Sequence, residues 1–170
     1  MARYIRILRG RLDNRRLPAY TSNMSAEKTL LVGVSCLCGA LRQASRAVSR
    51  LYDEELRGIG LRTTQYSLLQ LLRRSGEVRQ RDLAGLTLHD ETSLTRSLRP
   101  LVDARWVAVR TGEDRREKWL TITALGVAKL EEARPAWERA QARIQALLPE
   151  GAWRGLMEVL PEVARLSAGL

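Results

Sequence analysis

The sequence predicts a mainly α protein interrupted by one β-hairpin, and three observations predict it. Apolar residues recur at steps of three and four in long stretches on both flanks of the chain and in shorter ones at its centre. One central segment instead alternates apolar and polar residues on either side of a charged turn. Finally, 170 residues are enough to bury a core without metals or disulfides.

Taken in order, residues 1–23 are Arg-rich and break at Pro18. They are expected to be an unstructured arm or an over-called translation start, with a phosphate-binding tail as the sharper alternative. From Ser35 to about Arg57 the apolar positions Leu37, Leu41, Ala44, Val48 and Leu51 define one long amphipathic helix, stopped by Gly58 and Gly60. Thr63–Arg74 reads as a second helix through Tyr66, Leu69 and Leu72. A short helix near Arg79–Leu86 and a stronger one near Asp90–Ala104 follow at helix-turn-helix spacing.

Arg105–Arg110 and Lys118–Ile122 alternate as two strands around a basic tip. Ala124 to Leu148 is helical, with Leu130, Ala133, Trp137, Ala140, Ile144 and Leu147 forming a seam of the kind that packs on another helix; Pro135 should kink it without ending it. A last helix after Pro149-Glu150-Gly151 carries Trp153, Leu156, Leu160 and Val163. The order is that of a winged helix-turn-helix with a two-stranded β wing, with long N- and C-terminal helices forming a dimerisation domain. Residues 63–123 are then the DNA-binding domain, and residues 24–62 with 124–170 the dimerisation region.

Charge agrees with that division. The chain carries 29 Lys+Arg against 19 Asp+Glu, a net +10 that calls for an anionic partner. Residues 1–23 hold +5 of it, residues 60–120 hold +4, and residues 121–170 are neutral. No apolar run reaches the roughly 18 to 20 residues of a membrane span and no signal segment leads the chain, so a soluble, cytoplasmic protein with no membrane partner is expected.

On the Asp90–Ala104 helix, Leu94, Leu98, Leu101 and Val102 form the inward stripe, and Asp90 is placed to cap the helix. Thr92, Ser93, Thr95, Arg96 and Arg99 are the candidate DNA-binding residues of this helix. Arg can bond guanine O6 and N7 together, and a hydroxyl can bond phosphate or base edges in the major groove. Asp114, Arg115 and Arg116 at the hairpin tip form a second candidate element, suited to the adjacent minor groove.

Asp114-Arg115-Arg116, five residues, and then Ile122-Thr123-Ala124-Leu125-Gly126 resemble the wing signature of the MarR family of bacterial transcription regulators. Arg81-Asp82-Leu83-Ala84 and Thr92-Ser93-Leu94-Thr95-Arg96 resemble its helix-turn-helix, upstream at the right distance. The resemblance covers roughly residues 35–168 and implies a homodimeric winged-helix regulator of double-stranded DNA, usually a repressor, with Arg116 in the minor groove and Asp114 orienting it. Three positions depart from the pattern. Arg105 stands where a glycine is usual, at a cost on the order of 1 kcal/mol if the backbone is left-handed there. Pro100 interrupts the reading helix, and His89 sits where relatives are often apolar.

Leu37-Cys38-Gly39-Ala40-Leu41 resembles the first helix of that family's organic-hydroperoxide-sensing branch, in which a cysteine is oxidised and tyrosines support it. Tyr52 falls on one tyrosine position, and Thr63 occupies the other. Cys36, Cys38 and Tyr52 are therefore the candidate redox or effector-sensing residues. Fourteen residues of helix are roughly 21 Å, so Cys38 and Tyr52 meet only across a dimer. Two rivals stand beside oxidation: soft-metal or metalloid binding by the Cys-x-Cys pair, and structural thiols with a small organic effector. A structural zinc lacks ligands. No cofactor or catalytic residue is expected, since the chain has no phosphate loop, nucleophile elbow or metal-ligand spacing. A thiol peroxidase and a helical protein–protein adaptor remain as distant alternatives.

Overall fold

In the computed structural model, which describes residues 36–169, the first amphipathic stretch becomes helix α1 (Leu37–Leu56). The basic arm over residues 1–23 and the expected dimerisation residues 24–35 lie outside the described residues. Contacts divide the chain into residues 1–41 and residues 42–170. The described part of the first unit is Cys36 and the opening turn of α1.

Within the second unit, α1 buries Tyr52 and Leu56 and runs into a 3-10 turn over Arg57–Ile59. Gly60 closes that turn at φ 74°, a left-handed conformation that glycine adopts without steric cost. Helix α2 (Thr63–Ser75) is bolted to α1 at its first residue, whose N–H and hydroxyl both donate to Asp53 Oδ1 at 2.7 Å. α2 buries Tyr66, Leu68, Leu69 and Leu72, the face that the helical spacing marks.

Strand β1 (Val78–Arg79) comes next, then α3 (Gln80–Thr87), α4 (Glu91–Asp103), β2 (Val107–Thr111), β3 (Lys118–Ile122), α5 (Ala124–Leu147) and α6 (Ala152–Ser167). The sheet is antiparallel in the order β1-β3-β2, with Leu120 facing Val78 on one side and Val109 on the other. The expected two-stranded wing is thus β2 with β3, extended by a two-residue third strand. Arg79, expected in the short helix, belongs to that strand. Arg105 and Trp106, expected at the start of a wing strand, form the turn before β2; Arg105 has φ 60°, the strained left-handed conformation its position implies.

Leu56, Leu69, Leu72, Leu83, Leu94, Leu101 and Leu120 are fully buried and join helices and sheet into one core. Truncating any of them to alanine costs on the order of 2 to 5 kcal/mol. α5 runs through Pro135 and buries Leu130, Ala133, Ala136 and Ala140 along one face, while Trp137 stacks on Tyr66 of α2 with ring centroids 5.9 Å apart. The same seam ends exposed, at Leu147. α6 buries none of its side chains, and Leu156, Met157, Val159 and Leu160 all lie open. Among the described residues no helix is long and apolar enough to cross a membrane.

Candidate nucleic-acid interface

Helix α4 is set in place from both ends of its amphipathic pattern. Leu94, Leu98 and Leu101 are buried in the core, which turns Thr92, Thr95, Arg96 and Arg99 outward. At its start Asp90 accepts the Ser93 N–H at 2.8 Å and the Ser93 hydroxyl at 2.6 Å, and these bonds, the hydroxyl's first, hold its carboxyl below the usual range. Ser93 is half-buried, and its hydroxyl is engaged in this cap. The helix continues through Pro100 to Asp103, where Arg99 makes an exposed 3.8 Å ion pair.

The wing tip is a hydrogen-bonded turn: Gly112 N–H donates to Glu117 O, Glu117 N–H to Asp114 O, and Arg116 N–H to Asp114 Oδ1 at 2.9 Å. Asp114 therefore acts on Arg116 through its backbone, fixing the turn from which the guanidinium projects. Arg115 and Arg116 are both exposed. Behind the tip, Trp119 lies 4.9 Å from the guanidinium carbons of both Arg79 and Arg110, and Glu77 grips Arg110 through two hydrogen bonds of 2.5 and 2.6 Å.

Thr92, Thr95 and Arg96 of α4 and Asp114 and Arg116 of the wing line one open cleft of about 970 Å³. Ser93, Arg99 and Arg115 do not line it. The structure adds Arg79, Gln80, Arg81 and Lys118 to the lining, residues that the sequence reading did not select. Gln80 sits at the start of α3 and donates to Thr95 Oγ1 at 2.9 Å, so the two helices are joined by an exposed bond between cleft-lining side chains. The cleft also holds Asp82, Glu91, Asp114 and Glu117, so it is a patterned surface of both signs, with Glu117 paired to Arg79 at 3.3 Å.

Cys36 and Cys38 are exposed, Cys38 lying in the opening turn of α1. Tyr52 is buried, its hydroxyl donates to Gln141 Oε1 at 2.6 Å, and burial raises its pKa. Thr63, at the other expected tyrosine position, is held by Asp53. Among the described residues no three His, Cys, Asp or Glu side chains are grouped to hold a metal ion.

No family model matches the chain. An HTH-type transcriptional regulator of Bacillus subtilis, YwoH, is 32% identical over 92 residues, which are 54% of this chain and 67% of that protein. The crystal structure of the M. tuberculosis transcriptional regulator MosR in complex with DNA is 30% identical, with a TM-score of 0.71 over 79% of this chain and 98% of that one. Wild-type MarR from E. coli in its apo form is similar in fold, with a TM-score of 0.60 at 21% identity over 77% of this chain and 98% of that one.

Proposed function

The chain belongs to the MarR family of transcriptional regulators, and we propose that it acts as a homodimeric repressor on a near-palindromic operator. Each protomer sets α4 in a major groove and the wing tip, through Arg116, in the minor groove beside it. The observation that carries this reading is the convergence of Thr92, Thr95, Arg96, Asp114 and Arg116 on one cleft, although the two groups come from separate segments. MosR crystallised on DNA supports it.

The dimer is supported by the open apolar face of α6, where Leu156, Met157, Val159 and Leu160 have nothing to bury them within the described chain. Residues 24–62 and 124–170 make that dimer, and residues 63–123 bind DNA. Two-fold symmetry sets the half-sites about 10 base pairs apart. The protein works in the cytoplasm, where its operator is.

Release is triggered at Cys38. The thiolate attacks the distal oxygen of a hydroperoxide and breaks the O–O bond, giving a sulfenic acid and an alkoxide that takes a proton from water to leave as the alcohol, and the dimer shifts to a state whose two reading helices no longer match the grooves. Exposure of Cys38 and its place in the first turn of a helix support this trigger. The test is a mobility shift of the full chain on DNA upstream of its own gene, with and without organic hydroperoxide and then thiol reductant. Retarded DNA that hydroperoxide releases from the native chain but not from Cys38→Ser is expected. No retardation at low salt would defeat the repressor reading, and equal release from Cys38→Ser would defeat the trigger alone.

A further inference from the structure

We propose that Thr95 reads a thymine methyl group, and that Gln80 holds it in the rotamer that does so. The inference rests on the reading of the α4 cleft as the major-groove surface. Thr95 lines that cleft and is exposed, yet its hydroxyl is not presented as a free polar group. The hydroxyl donates its one hydrogen to Glu91 O at 2.7 Å, four residues back along α4, and accepts from Gln80 Nε2 at 2.9 Å.

A threonine side chain ends in two groups, the hydroxyl and the methyl. With the hydroxyl drawn back against the helix and clamped from α3, the methyl is the group left to meet a partner entering the cleft. The four base pairs differ at the major-groove edge, and thymine alone carries a methyl there. A hydroxyl engaged on both sides gains little from a base edge, whereas methyl-on-methyl contact removes apolar surface from water at about 0.8 kcal/mol per group. That corresponds to roughly a four-fold preference for thymine in each half-site. Gln80 is a positioning residue in this scheme: it contacts Thr95 and sets its rotamer, and the base contact is made by Thr95.

The experiment uses a duplex selected by the full chain from a random-sequence pool, with each thymine replaced in turn by deoxyuridine, which removes the methyl and nothing else. One thymine per half-site should show about a four-fold loss of affinity with the native chain. Thr95→Val, which keeps a methyl and drops the hydroxyl, should retain that loss. Thr95→Ser, which keeps the hydroxyl and drops the methyl, should bind the thymine and deoxyuridine duplexes equally. A duplex in which every thymine methyl is dispensable, or a Thr95→Ser protein that still distinguishes the two, overturns the inference while leaving DNA binding intact. A pool from which nothing is selected overturns the DNA-binding reading, and this inference with it.

Discussion

The hydroxyl of Tyr52 in α1 and the side-chain oxygen of Gln141 in α5 meet at 2.6 Å, although the two residues stand 89 positions apart in the chain. Tyr52 is buried, so its hydroxyl has little water to fall back on, and burial raises its pKa and keeps the proton on it. Tyr52→Phe removes the donor and leaves the Gln141 oxygen without it. The expected cost is about 1 kcal/mol, read as a lower midpoint in urea at unchanged slope. A midpoint equal to the native one would show that the bond contributes nothing to the α1–α5 joint.

The same two helices carry a titratable link one turn further on. Glu55 accepts from Arg143 at 2.7 Å and from Arg139 at 3.0 Å, and these bonds, Arg143's first, lower its pKa below the ordinary 4.5. A carboxylate whose folded pKa is depressed stabilises the fold above its unfolded value and loses that contribution as pH falls through the folded one. Unfolding free energy should therefore drop on acidification below about pH 4.5 more steeply in the native chain than in Glu55→Gln. Parallel pH profiles for the two would exclude Glu55 from the acid response.

How much of this was legible follows from how local each feature is. The α4 face was legible because its pattern is periodic: Leu94, Leu98 and Leu101 point in, so Thr92, Thr95 and Arg96 point out. Asp90 was legible as a cap because the chemistry is confined to one turn. β1 was not, since two residues cannot display an alternation and Val78–Arg79 becomes a strand only by pairing with Leu120 and Trp119, some 40 positions on. Arg79 was missed for the same reason, and Gln80 and Arg81 of α3 and Lys118 of β3 line the cleft beside it. Two hints were available: the alternation of Arg79 and Arg81 around Gln80, and the place of Arg81 in the stretch that resembles the family's helix-turn-helix. Ser93 is a candidate reader by residue type, and the second bond it makes to the Asp90 carboxylate, from its hydroxyl, is visible only in the structure.

Gly126, the last residue of the wing signature, has a structural reason to be glycine. It is buried in the first turn of α5, where its N–H donates to Thr123 Oγ1 at 3.0 Å and where a Cβ would stand 2.2 Å from the Trp106 carbonyl oxygen and 2.8 Å from Ile122 Cγ1. The first obstacle is backbone in the turn that leads into β2, itself fixed because the Trp106 carbonyl accepts the Thr123 N–H at 2.9 Å. Gly126→Ala must push the wing away from α5. A loss of roughly 1 to 3 kcal/mol is expected, with weaker DNA binding because the wing tip moves relative to α4. Native stability in a folded Gly126→Ala protein would contradict the close approach.

Two arginines of the cleft should separate affinity from specificity. Arg116 projects from a turn fixed by its own N–H bond to Asp114, at the edge of the cleft, where the charge of the DNA backbone is the common feature of every sequence. Arg96 lies on the exposed face of α4, one position beyond Thr95 in the same cleft, and it would face base edges with α4 set in the major groove as proposed. Arg116→Ala should weaken binding to cognate and scrambled duplexes alike and flatten the dependence of log affinity on log salt by roughly 0.9 per lost contact, about 1.8 for a dimer. Arg96→Ala should leave the salt slope near its native value and relax discrimination at one base pair per half-site by about 1 to 3 kcal/mol. Fluorescence anisotropy between about 50 and 200 mM salt measures both quantities. An Arg96→Ala protein with native base preference, or an Arg116→Ala protein with the native slope, would show that the cleft meets DNA with other groups.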